Sequence, residues 1–127
     1  MSKPAVLIVE DNKINALVLS KAIEPYCKPV HVTNDTQAFE AVSQHLFPLI
    51  LMDINLGSKS LDGEQIMRRI RENPTFAEVK IFAVTSYANP GDKARFLEAG
   101  FDSYFSKPIR KDAIVAGVKE ALAIAAA

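Results

Sequence analysis

The chain has 127 residues, 49% of them hydrophobic and 24% charged, with 15 basic side chains balancing 15 acidic ones. That length suits one domain over residues 1–127 with a real core, and the even charge balance provides no field to draw nucleic acid. The one cysteine, Cys27, excludes an internal disulfide and suits a reducing compartment; with neither a signal peptide nor a run long enough to span a bilayer, a cytoplasmic protein without membrane contact is expected.

Taken in order, strand-like and helix-like segments alternate five times, which implies a parallel sheet with crossover helices. Ala5-Val6-Leu7-Ile8-Val9 reads as a buried strand that ends in the acidic pair Glu10-Asp11. A first helix is expected from Asn12 to Pro25, with Ile14, Leu17, Val18 and Ala22 facing inward and Leu19 and Ile23 widening the stripe. Val30-His31-Val32 gives a short second strand, and Asn34 with Gln37 has the form of a capping box opening a helix that buries Ala38, Ala41 and Val42, with Leu46 a further candidate. Phe47 to Met52 form a third strand, which delivers Asp53 at its end.

Asp62 and Gln65 can cap a third helix that buries Ile66 and Ile70 and stops before Pro74. Arg68, Arg69 and Arg71 on that helix, with Glu64 and Glu72, read as a solvated face. Val79 to Val84 form a fourth strand leading to Thr85. Asn89-Pro90 then supplies an N-cap and a first-turn proline for a helix that Gly100 ends in a left-handed conformation. Phe101 to Phe105 give a fifth strand, followed by Ser106-Lys107-Pro108. The last helix runs from about Arg110 toward Ala125 with Ile114, Val115, Val118, Ala121 and Leu122 inward, leaving no residues for an output domain.

If these strands are parallel neighbours, Glu10, Asp11 and Asp53 converge at the carboxyl edge of the sheet, beside Thr85 and Lys107. Like charges so close are costly without a cation, so the arrangement asks for a hard, oxygen-seeking metal such as Mg²⁺, with Mn²⁺ as an alternative. Singly, each residue has a plainer reading, as a helix cap or a turn residue. An acidic pair, an acidic residue, a hydroxyl and a Lys-Pro at consecutive strand ends together point to phosphoryl transfer. His31 and His45 are expected far from this edge, in core or surface roles.

Val6-Leu7-Ile8-Val9-Glu10-Asp11-Asn12, Leu51-Met52-Asp53, Ala83-Val84-Thr85-Ser86 and Tyr104-Phe105-Ser106-Lys107-Pro108-Ile109 resemble receiver domains of two-component response regulators, over nearly the whole chain. The Glu-Asp-Asn opening and Ser-Lys-Pro-Ile ending resemble receivers of the hybrid-kinase-associated or single-domain type. The resemblance implies a flavodoxin-like, doubly wound sheet of five parallel strands in the order 2-1-3-4-5 with five helices. It implies Asp53 as the phosphoacceptor, taking its phosphoryl group from a histidine kinase or a phosphotransfer protein. It also implies Mg²⁺ held by Asp11 and Asp53, by Glu10 through water, and by the main-chain carbonyl of Asn55. Lys107 would pair with the phosphoryl group and Thr85 would donate a hydroxyl to it. Moving Thr85 would drag the loop Ser86-Tyr87-Ala88-Asn89 and rotate Tyr104 inward, altering a target-binding face made by the fourth helix, fifth strand and fifth helix. The Lys107-Pro108 peptide would be cis. Such a protein assists its own phosphorylation and dephosphorylation without being an enzyme in the ordinary sense.

Three rivals fit less well. A phosphatase of the haloacid dehalogenase type resembles Asp-x-Asp, and Asn55 stands where its acid/base aspartate would be. A flavin or dinucleotide binder wants a glycine- or hydroxyl-rich loop after the first strand, where Glu10-Asp11 would repel phosphate. A pseudo-receiver that only binds partners would lack a site residue, and none is missing. One departure from the family is visible: Leu56-Gly57-Ser58-Lys59-Ser60-Leu61-Asp62-Gly63 lacks the usual proline and is two residues longer, which implies a loop that is mobile before phosphorylation.

Overall fold

Runs of branched apolar residues bounded by polar ends suit strands buried on both faces, and each such run becomes one. A computed structural model describes residues 3–87 and 89–126. It contains β1 (Ala5–Val9), α1 (Lys13–Ile23), β2 (Lys28–Val32), α2 (Asp35–Gln44), β3 (Leu49–Asp53), α3 (Gly63–Glu72), β4 (Lys80–Thr85), α4 (Asp92–Ala99), β5 (Ser103–Ser106) and α5 (Lys111–Ala126). The strands lie parallel in the order β2-β1-β3-β4-β5, the flavodoxin-like arrangement. Helices α2, α3 and α4 cover one face through Ala38, Ile66, Met67, Ile70 and Phe96, while α1 and α5 cover the other through Leu19, Ile23, Ile114 and Val118. Among the described residues, no helix is long and apolar enough to cross a membrane.

Local signals place most helix starts. Asp62 and Gln65 form a reciprocal capping box at α3, as expected. At α2 only half of the box forms: Asn34 accepts the Gln37 N–H, but the Gln37 side chain reaches back to Thr33 instead. Asn89 and Pro90 do not begin α4. Asn89 donates its N–H to Asp92 Oδ2 at 2.9 Å, the pair closes a turn, and Gly91 at φ 93° starts the helix. Gly100 ends that helix at φ 128°, in line with the sequence reading.

The inward face of α1 differs from the expectation. Ala16, Leu19, Ala22 and Ile23 are buried, whereas Ile14, Leu17 and Val18 are 73%, 57% and 52% exposed. Apolar residues run almost all round this helix, so periodicity alone could not select the buried side. Leu46 is likewise exposed, because α2 ends at Gln44 and the chain turns outward before β3.

The three arginines of α3 do not share one solvated face. Arg68 pairs with Glu64 at the surface and Arg69 lies 6.0 Å from the Phe39 ring centre. Arg71 turns inward: Nη1 donates to the Ala77 and Val79 carbonyls, and Nη2 to the Gly100 carbonyl and to Asp102 at 3.0 Å. One guanidinium therefore ties α3 to the approach to β4, the end of α4 and the approach to β5. Arg71→Ala is expected to lower stability by about 2 kcal/mol with an unchanged denaturant slope, because several half-buried carbonyls lose a charged donor. Urea titration checks this, and an unchanged midpoint would refute it.

Candidate functional site

Parallel pairing in register brings the strand ends level. Val9 pairs with Met52, Asp53 with Val84, and Thr85 with Ser106, so the residues at or just beyond each end share one edge of the sheet. The carboxylates of Glu10, Asp11 and Asp53 each place an oxygen within 4.8 Å of the other two. Glu10 and Asp53 are buried and Asp11 is exposed, so the cluster opens toward solvent on one side. Lys107, just beyond β5, extends its Nζ to 2.6 Å from Glu10 Oε1 and 3.3 Å from Asp53 Oδ2. The Lys107-Pro108 peptide is cis, as the resemblance implies.

One ammonium does not balance three carboxylates, and the protons redistribute accordingly. Burial, then the adjacent Glu10, pushes the Asp53 carboxyl up to about 7. The same two causes raise Asp11. Burial also works against the charged form of Glu10, but hydrogen bonds with Asp53 and Lys107 outweigh it and hold Glu10 below the usual carboxylate range. Lys107 is raised despite its burial, because Glu10 and Asp53 both favour its ammonium form. Asp53 therefore takes up a proton more readily than Glu10, which pairs with Lys107. Three carboxylates gathered this closely are a set of hard oxygen donors that suits a hard divalent cation by its chemistry.

Gly63 is a site residue that the sequence reading passed over as part of a motif. Its N–H donates to the Ile54 carbonyl at 2.8 Å, and a Cβ built on it would stand 2.1 Å from the Asp53 carbonyl oxygen. The start of α3 thus rests directly on the main chain of Asp53. His31 is also closer than expected: its Nε2 lies 2.7 Å from the Glu10 carbonyl, so it borders the acidic edge rather than standing far from it. The strand register, with His31 beside Ile8, brings its ring within reach of the turn after β1.

Thr85 is buried, and its Oγ1 accepts the Tyr87 N–H at 3.2 Å. The Tyr104 hydroxyl donates to the carbonyl of the same Tyr87. Phe96 stacks near both tyrosine rings, with centroids 6.4 Å from Tyr87 and 6.0 Å from Tyr104. Tyr104 is therefore linked to Thr85 through Tyr87 and takes no part in the acidic cluster. Ala88, in the loop expected to move with Thr85, lies outside the described residues. Asn55 is exposed, and its Oδ1 accepts the Gly57 N–H at 3.2 Å.

A family model described as the response regulator receiver domain matches residues 6–119. The chain belongs to that family. It is 30% identical over 119 residues to the polar-differentiation response regulator DivK of Brucella anthropi, covering 93% of this chain and 95% of that protein. It is 38% identical over 107 residues to the autoinducer 2 sensor kinase/phosphatase LuxQ of Vibrio vulnificus, of which it spans only 12%. Among solved structures, a response regulator from Chloroflexus aurantiacus superposes with a TM-score of 0.87 at 24% identity, over 96% of this chain and 99% of that one. The receiver domain of a Pseudomonas aeruginosa sensor histidine kinase, solved with magnesium in its active-site cleft, superposes at 0.82 with 28% identity, over 94% and 97%. The chain is thus a receiver domain of two-component signal transduction, a signalling module rather than an enzyme in the ordinary sense.

The longer β3–α3 loop has a defined path from Asn55 to Gly63. Gly57 sits at φ 87°, where proline's fixed negative φ cannot follow, so the family's proline could not replace it in this conformation. The far part of the loop is anchored through Ser60 and Leu61 to the start of α2.

Proposed function

We propose that Asp53 is the phosphoacceptor of this receiver, loaded from a phosphohistidine on a histidine kinase or phosphotransfer protein. The convergence of Glu10, Asp11, Asp53 and Lys107 at one edge carries this reading. An Asp53 carboxylate oxygen bonds to phosphorus while the phosphorus–nitrogen bond of the donor breaks and the electron pair leaves with the imidazole. Asp11 and Asp53 would hold Mg²⁺, or Mn²⁺ in its place, with Glu10 acting through water and Asn55 through its main-chain carbonyl. The ion would neutralise charge on the transferring oxygens. The magnesium in the Pseudomonas receiver supports this assignment. Lys107, released from Glu10 as the charges redistribute, pairs with the phosphoryl oxygens. Thr85 turns its hydroxyl from accepting the Tyr87 N–H to donating to phosphate. That shift pulls on the carbonyl that holds Tyr104 and so alters the α4, β5 and α5 face offered to a target protein.

Acetyl phosphate with Mg²⁺, followed by mass spectrometry, tests the core of this reading. One phosphoryl adduct that does not form when the cation is chelated beforehand is expected, whereas a pseudo-receiver would gain none.

The exposed apolar ridge Ile14-Leu17-Val18 begins one turn after Asp11, beside a groove of about 370 Å³ between α1 and Ile109 and Lys111. A partner that delivers a phosphohistidine to Asp53 must cover the rim of the acidic edge, and an apolar ridge on that rim suits burial against it. Leu17→Asp should cut transfer from the cognate kinase by about tenfold or more while leaving acetyl phosphate loading intact. Equal loss with both donors, or with neither, would refute this docking role.

A further inference from the structure

The geometry points to Asp35 and Ser60 as positioning residues that hold the β3–α3 loop beside the phosphoryl site and thereby set the lifetime of the aspartyl phosphate. This rests on Asp53 being the phosphoacceptor. Asp35 is the first residue of α2, yet its partners lie 25 and 26 residues further along the chain. Its N–H donates to Ser60 Oγ at 3.1 Å, the Ser60 hydroxyl donates to the Leu61 carbonyl at 2.8 Å, and the Leu61 N–H donates to Asp35 Oδ2 at 3.0 Å. The three bonds close a ring that joins the loop to a neighbouring helix. Asp35 Oδ1 is meanwhile fixed by the Thr36 N–H at 2.7 Å, so the carboxylate cannot swing away without losing two donors. The Leu61 N–H, first among these contacts, holds the Asp35 carboxyl below its ordinary value, consistent with a carboxylate that is an acceptor throughout.

The position of the ring gives it consequence. On one side lie Asp62, which caps α3, and Gly63, which abuts the main chain of Asp53. On the other lie the exposed Gly57, Ser58 and Lys59, and then Asn55, two residues from the phosphoacceptor. The extra length of this loop is thus confined between a turn at Asn55 and the ring at Asp35. Opening of that segment admits water toward phosphorus, and the ring sets how often it opens. Hydrolysis breaks the bond between phosphorus and the Asp53 oxygen, returning the carboxylate and inorganic phosphate, so more frequent opening shortens the lifetime.

Asp35→Ala, Ser60→Ala, their double variant and Asp35→Asn should be loaded with acetyl phosphate and Mg²⁺ and followed for loss of the adduct after the donor is removed. Asp35→Ala is expected to shorten the lifetime about fivefold, the population change expected when one hydrogen bond of ordinary net strength is lost. Ser60→Ala should act in the same direction, the double variant should add little because one ring is broken either way, and Asp35→Asn, whose single oxygen can serve Leu61 or Thr36 but not both, should restore part of the lifetime. In the unphosphorylated protein, amide exchange at Leu61 should accelerate in Asp35→Ala and Ser60→Ala, independently of any loading. Lifetimes unchanged from the parent, additive effects in the double variant, or a loss that asparagine fails to restore would overturn the positioning role. A parent protein that takes up no phosphoryl group would overturn the phosphoacceptor reading instead, while the exchange data would still report whether the ring orders the loop. Should Asp35→Ala fail to fold, Ser60→Ala, which breaks the ring without substituting a residue of α2, decides the matter alone.

Discussion

An Asp53→Asn protein will accept no phosphoryl group from any donor, and in cation-free buffer at pH 8 it will be more stable than its parent by about 3 kcal/mol. Both effects come from one carboxyl group. In the folded chain, burial and then Glu10 push the Asp53 carboxyl up to about 7, above its value in an unfolded chain. A group raised on folding favours the folded state at low pH, where it is protonated in both states. That contribution is lost as pH rises through about 7, where the folded chain must ionise a buried group beside Glu10. Asparagine keeps the shape and removes the charge. The stability difference should therefore be small near pH 4 and should reach its full size above pH 7. Saturating Mg²⁺ should narrow it by stabilising the parent, because a cation that binds only the folded state adds its binding free energy to stability. Urea titrations at two pH values, with and without Mg²⁺, make the comparison. A parent as stable as the variant at pH 8 without a cation would mean that the acidic cluster is not frustrated, and the metal argument would lose its basis.

Gly63→Ala should be among the most damaging single substitutions in the chain, costing about 3 kcal/mol or more. The added Cβ would meet the Asp53 carbonyl oxygen at 2.1 Å and the Ile54 Cα at 2.9 Å. Both obstacles are main chain at the end of β3, so relief requires moving Asp53 itself or tearing α3 from its cap. Any protein that remains folded should bind Mg²⁺ more weakly, since Asp53 and Asn55 shift together. Gly57→Ala provides the contrast. Nothing lies within 4 Å of its Cβ, and only its φ of 87° opposes the change, so a loss of about 1 kcal/mol is expected without a defect in metal binding. Unfolding midpoints with Mg²⁺ titrations followed by NMR separate the two. Equal, small effects would show that the close approach of α3 to Asp53 yields readily.

The fold was legible because its signals are local and mutually consistent. Apolar runs gave β1, β3 and β4, the two edge strands β2 and β5 were placed with shifted starts because they are less buried and more polar, and Asp62 with Gln65 gave the start of α3 to the residue. The carboxylate cluster followed once the strands were taken as parallel, since strand ends then align. What escaped depended on rotation or on distant partners. The apolar residues of α1 surround the helix, so only its packing against α5 and the sheet tells Leu19 from Leu17. Arg71 looked like its neighbours Arg68 and Arg69, and only the tertiary structure supplies the carbonyls that draw it inward. His31 was misplaced because its contact with the Glu10 carbonyl depends on register between two strands. Gly63 and Asp35 act through main-chain atoms far away in sequence, which residue type alone does not reveal.

The stack of Tyr87, Phe96 and Tyr104 has an optical consequence. The chain holds no tryptophan and three tyrosines, of which two stack near Phe96 and are joined by a hydrogen bond from one hydroxyl to the other's main chain. The third, Tyr26, lies apart with Lys119 over its ring. Two of the three tyrosines thus lie within one hydrogen-bond relay of Thr85, and a change in circular dichroism near the tyrosine band on loading is the expected label-free readout of the site.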